Sequence, residues 1–127
     1  MTKDNKTAVT HYNTVNAYQT KDNSTIRELM HPTIHRVSNS SLAEAIVAIN
    51  DQTLLHKHQN TEEIYHITNG IGLMTLGQDN FEVKAGDSIC IAPDTAHCIK
   101  NIGNKPLQLL CICSPAYQHD DTELLNK

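Results

Sequence analysis

From Thr25 onward the chain is broken every few residues by turn-formers, and no stretch before Pro115 combines helical length with a helical apolar period. Between the breaks lie β-prone runs: Thr25–Leu29, Ser41–Ile49, Thr53–His58, Glu63–Thr68, Gly72–Leu76, Phe81–Lys84, Ser88–Ile91, Ala96–Asn101 and Leu107–Cys113. This is the pattern of an all-β domain. Strands of this number and spacing fit a barrel or a two-sheet sandwich, and both protect their edges. Asn69-Gly70 between two runs is a hairpin signal, because both residues tolerate positive φ. Gln78-Asp79-Asn80, Ala85-Gly86-Asp87 and Pro93-Asp94-Thr95 supply further turns, and Asn101–Pro106 a polar loop. Past Pro115 a short irregular or helical tail is expected.

A chain of 127 residues is one domain's worth and can bury a core without staples. Charged residues make up 19%, which argues against global disorder. Aromatics are 4% with no Trp, so the core must be aliphatic. The formal net charge of −4 speaks against a nucleic-acid partner, and no apolar run approaches the roughly 20 residues of a membrane span. The first 24 residues are polar, lack an apolar signal-like stretch, and read as a loosely ordered arm ahead of a single barrel domain over 25–127. With no export signal, Cys90, Cys98, Cys111 and Cys113 are expected as free thiols in a cytoplasmic, reducing setting. Cys90, Cys111 and Cys113 sit in apolar runs and read as small core residues.

Histidine is the compositional outlier, with eight in the chain. In His56-Lys57-His58 the two imidazoles lie two residues apart, on one side of a strand and about 6.6 Å apart along it. They can converge on one ion. Glu63 follows at an odd offset from His58, so a bend in the polar Gln59-Asn60-Thr61 is needed to bring it to the same face. His97 opens another run after a turn. Three imidazoles and a carboxylate suit a borderline divalent transition ion, Fe, Mn, Ni, Zn or Cu, one per chain. Taken singly, these residues read as surface histidines and a solvated acid; the combination is what points to a metal.

At this point the chain resembles the cupin family. HKHQNTEEIYHITNG is similar to the first cupin motif, G-x5-H-x-H-x3,4-E-x6-G, through His56, His58, Glu63 and Gly70. GDSICIAPDTAHCIKN is similar to the second, G-x5-P-x-G-x2-H-x3-N, through Gly86, His97 and Asn101. Asn50 stands at the first motif's opening glycine, and Ala92 and Asp94 at the second motif's proline and glycine. Asn and Asp tolerate left-handed backbone, so both turns are expected to survive. The resemblance implies a cupin-type double-stranded β-helix, a jelly-roll-like barrel with a metal inside, and a homodimer.

Other residues complete the expected site. Tyr65 shares the parity of Glu63 and is either a candidate catalytic residue beside it or a core tyrosine with a satisfied hydroxyl. Arg27 could hold a substrate carboxylate or phosphate, or pair with Glu28 or Glu44. Asn101 could orient a substrate or close a turn. His66 has the opposite parity to Glu63 and is expected away from the metal. The function expected is metal-dependent action on a small oxygenated molecule such as a sugar, sugar phosphate or keto/hydroxy acid, by isomerisation, dioxygenation, decarboxylation or lyase cleavage. The alternative is a non-catalytic small-ligand binding module.

Overall fold

A computed structural model describes residues 6–125. The first five residues of the expected arm lie outside the described residues. The strands are β1 (Tyr18–Gln19), β2 (Thr25–Met30), β3 (Ser41–Val47), β4 (His56–His58), β5 (Glu62–Asn69), β6 (Ile71–Leu76), β7 (Asp79–Lys84), β8 (Ser88–Ile91), β9 (His97–Asn101), β10 (Leu107–Ser114) and β11 (Thr122–Leu124). One sheet has the order β1-β2-β3-β10-β5-β8, the other β11-β4-β9-β6-β7, and every pairing is antiparallel. Among the described residues, helix is confined to single 3-10 turns at Tyr12–Thr14 and His119–Asp121. Among the described residues no helix is long and apolar enough to cross a membrane.

The period-two alternation of the sequence becomes an inside and an outside. Leu107, Leu109, Cys111 and Cys113 of β10 turn inward, as do Glu63, Tyr65 and Ile67 of β5. Along both strands the inward face runs from apolar to polar. One end of the barrel holds the buried Ile67, Met74 and Leu107. The other end holds the histidines. Ile67 is fully buried, so truncating it to Ala removes apolar burial and leaves a void. The expected cost is about 2–5 kcal/mol, seen as a lower urea midpoint with an unchanged slope.

Four local expectations change. Asn69-Gly70 is no hairpin: β5 pairs with β10 and β8, while β6 pairs with β7 and β9, so this dipeptide carries the chain from one sheet to the other. Gly70 takes φ +92, and a Cβ there would meet Pro106 O and the Leu107 Cα at 3.0 Å. The β6–β7 turn falls at Gly77-Gln78, because Asp79 and Asn80 already pair with Leu76 and Thr75. β4 begins only at His56, since the Thr53 and Leu54 amides are taken by the carbonyls of Ile99 and Asp22. The tail past Pro115 is short and mostly irregular, as expected, with a single 3-10 turn before β11, which pairs with β4. Cys90 is exposed, alternating with the buried Ile89 and Ile91 of β8, and so is no core residue.

Asn50 and Asp94 adopt φ +67 and +63, the left-handed backbone their motif positions require. The described part of the arm lies against the barrel. Tyr18 pairs with Ile26 in the first sheet, and Tyr12 donates a hydrogen bond to Glu44.

Candidate metal centre

His56 and His58 share the inward face of β4, and His97 stands directly opposite His56 on β9. The chain bends at Gln59-Asn60, and this returns Glu63 to the same side, where it is buried. One ligand atom from each of the three histidines lies within 4.8 Å of the others. Glu63 Oε1 is 3.2 Å from His58 Nε2 and 3.4 Å from His97 Nε2.

The far side of each ring decides what the near side offers. His56 Nδ1 lies 2.7 Å from the Leu54 carbonyl and His97 Nδ1 lies 2.9 Å from the Thr95 carbonyl. A carbonyl only accepts, so both Nδ1 atoms carry the proton. His58 Nδ1 is 2.9 Å from Thr122 Oγ1, whose own proton goes to the Gln118 carbonyl. It too must donate. All three Nε2 lone pairs therefore point inward. Neither Glu63 Oε1 nor His97 Nε2 has a hydrogen-bond partner, although both are buried. Acceptors facing acceptors at this range call for a cation between them, either a second ring proton or a metal ion. The donor set fits a borderline divalent ion.

Electrostatics agree. Burial, and then the charge of His97, push the His56 imidazole down from its ordinary value, so it stays neutral. Burial alone would push the Glu63 carboxyl up, but where His58 and His97 carry the second ring proton, their hydrogen bonds and charge prevail and hold it at about 2. Glu63 is thus an ionised carboxylate, and its Oε2 receives the Cys113 thiol at 3.5 Å. Burial and the Glu63 charge push the Tyr65 hydroxyl and the Cys111 thiol well above their ordinary values, so both remain protonated.

A cavity opens between the sheets beside these groups. The space open to water centres is about 50 Å³, enough for a few waters or a molecule of two or three carbons. His56, His58, Glu63 and Tyr65 line it, with Ile26, Ala45, Val47, Ile99 and Leu109 as apolar wall. The Tyr65 ring lies 5.9 Å from the His97 ring.

Arg27 and Asn101 are not among the lining residues. Arg27 Nη1 sits 3.6 Å from Glu44 Oε1, with the guanidinium 5.2 Å above the Tyr12 ring. Asn101 is buried, donating to the carbonyls of Val47 and Lys105 and accepting from the Gly103 amide, so it closes the loop after β9. His66 bonds Ser88 on the outside of β5.

Sequence reasoning missed Asp22, Tyr117 and Thr122. Asp22 Oδ2 reaches to 3.3 Å from His56 Nε2, while its Oδ1 takes the Ser24 amide and the hydroxyls of Thr20 and Ser24. The signal available was parity: Asp22, Ser24 and Ile26 alternate inward. The Tyr117 ring meets the His58 ring edge-on at 5.9 Å.

Comparison with known proteins shows the family and the fold. Residues 43–113 match the family described as the cupin domain. The chain is 56% identical over 116 residues to an uncharacterised protein of Methanocaldococcus jannaschii, spanning 91% of this chain and 93% of that one. It is 36% identical over 58 residues to an oxalate-binding protein of Thermotoga maritima, spanning 46% of this chain and 48% of that one. A crystal structure of a predicted oxalate decarboxylase from Thermotoga maritima superposes with a TM-score of 0.74 at 21% identity, covering 84% of this chain and 98% of the other. That likeness shows the shared fold.

Proposed function

The chain belongs to the cupin family, and from that premise we propose that it binds one divalent transition-metal ion and acts on a small oxygenated molecule. The observation that carries this reading is the convergence of three tautomer-locked imidazoles and an ionised, under-bonded Glu63 beside an internal cavity. His56, His58, His97 and Glu63 would hold the ion. When bound, such an ion supplies Lewis-acid polarisation of a carbonyl or hydroxyl. The chain's own residues do the rest. The apolar wall excludes water, Tyr65 presents a protonated hydroxyl to the ligand, and Glu63 either stays on the ion or takes a proton. Sugars, sugar phosphates and keto or hydroxy acids are the substrate classes, and isomerisation, dioxygenation, decarboxylation and lyase cleavage the candidate reactions. Relatives named for oxalate support a small ligand in this barrel. The reading includes a homodimer in a reducing, cytoplasmic setting, checked by light scattering and fractionation.

The test is metal analysis of untagged protein, followed by titration of the stripped protein with Mn, Fe, Ni, Zn and Cu salts. One ion per chain is expected. Failure to take up any of them overturns the proposal. A second reading, a binding module without turnover, is favoured by the small cavity and by the relative named for binding. Turnover in a screen of sugars, keto acids and catechols refutes that second reading.

A further inference from the structure

The cavity wall contributed by β2 carries a carboxylate that the metal reading leaves unused. Glu28 lines the cavity, while its neighbour Arg27 faces the other way. The Glu28 side chain is 12% exposed. Its Oε1 accepts a hydrogen bond from the Tyr18 hydroxyl at 3.3 Å, and its Oε2 is buried with no hydrogen-bond partner.

The nearest group able to charge is His31, with Nε2 3.9 Å from Oε2. That ring is already committed. Its Nε2 lies 2.7 Å from the Tyr117 carbonyl, which can only accept, so the ring proton goes there. Its Nδ1 accepts from the Thr33 amide at 3.2 Å. The Nε2 hydrogen therefore goes to Tyr117 and not to Glu28. Ala43, directly across on β3, offers no polar side chain. Burial pushes the Glu28 carboxyl up from its ordinary value against the opposing pull of His31 and Tyr18, as befits a carboxylate short of donors.

Three carboxylates, Asp22, Glu28 and Glu63, line the cavity, and no Lys or Arg does among the described residues. A divalent ion at the histidines would about offset two of those charges and leave the third facing the ligand.

We propose that Glu28 determines ligand specificity: its free Oε2 accepts a hydrogen bond from an O–H or N–H of the bound molecule, and its charge turns away dicarboxylates and phosphate esters. This narrows the substrate classes above by setting aside the sugar phosphates and the acids: the ligand is then a small neutral or cationic compound bearing a donor, such as a hydroxycarbonyl compound or an amino alcohol. This rests on the metal reading for the ligand's second anchor. An unpaired buried acceptor is costly, and a ligand lacking the donor leaves it unpaired while one carrying it does not.

The test uses full-length protein loaded with zinc, its metal content verified in each sample. Dihydroxyacetone, ethanolamine and oxalate are titrated separately, followed by backbone amide shifts. The wild type is expected to bind a donor-bearing probe more tightly than oxalate. Glu28→Gln removes the charge, and oxalate affinity should rise about tenfold or more as like-charge repulsion is lifted. Glu28→Asp retains the charge and should retain the wild-type order, which separates recognition from general damage to β2. Tightest binding of oxalate by the wild type, an unchanged oxalate affinity in Glu28→Gln, or no saturable binding of either donor-bearing probe overturns the proposal. Samples that fail to hold zinc would count against the metal reading, and repeating the three titrations on metal-free protein then decides the Glu28 proposal alone.

Discussion

His58→Ala lowers divalent-metal affinity by about 100-fold or more, exceeding the roughly 10- to 100-fold typical of losing a supporting residue behind a ligand. The side chain removed is buried, and its Nε2 lies 3.2 Å from the Glu63 carboxylate that shares the site. Thr122→Val is the graded companion. It keeps the shape of the residue but removes the oxygen that accepts from His58 Nδ1 at 2.9 Å. The ring then loses the partner that fixes its tautomer, and affinity should fall by about tenfold. His66→Ala, whose ring bonds Ser88 outside the barrel, should leave affinity unchanged. Competition against a chromogenic chelator measures all three. Equal losses for His58→Ala and His66→Ala would mean the face assignment is wrong.

The second large effect is with pH. Each ring Nε2 is free to bind a metal only when it carries no proton, because Nδ1 is already protonated and bonded to its partner. Acid adds protons to the metal-free protein that the metal must displace. Affinity therefore holds above the imidazole range and falls as pH drops below roughly 6.5, by up to about tenfold per pH unit for each imidazole that has to give up a proton. His56, pushed down by burial and His97, joins this loss at lower pH than an ordinary imidazole. Glu63, held at about 2, stays ionised throughout and contributes nothing to the slope above pH 4. Calorimetry in buffers of different ionisation enthalpy should show proton release on binding near pH 6 and little at pH 8. Affinity that stays level from pH 8 to 5 would rule out these imidazoles as ligands.

Strand positions were legible because period-two alternation is a local property. β8 lies where its run predicted, β5 extends its run by one residue at each end, and β10 extends its run by one residue. The positive φ at Asn50 and Asp94 was legible for the same reason, since each follows from what one residue's backbone tolerates. The pairing of strands was not. Asn69-Gly70 encodes a sharp turn, but whether the next strand folds back on β5 or crosses to the other sheet depends on β9 and β10, nearly thirty residues or more downstream. Arg27 shows the other limit. Its charge suited a substrate anion, yet parity with the buried Ile26 turns it outward to Glu44.

What the sequence alone determined is the alternation that makes strands, the turn residues that separate them, and the positions of His56, His58, Glu63 and His97, the residues proposed above to hold a metal. What only the tertiary structure decided is the surroundings of that quartet. Asp22 and Thr122 arrive from opposite ends of the chain, the three tautomers are set by carbonyls and a hydroxyl, and Glu28 lines the cavity with its Oε2 unpaired. The physical reason is range. Alternation and turn preference act within a few residues, whereas hydrogen bonding and burial depend on which distant segments the closed barrel brings together.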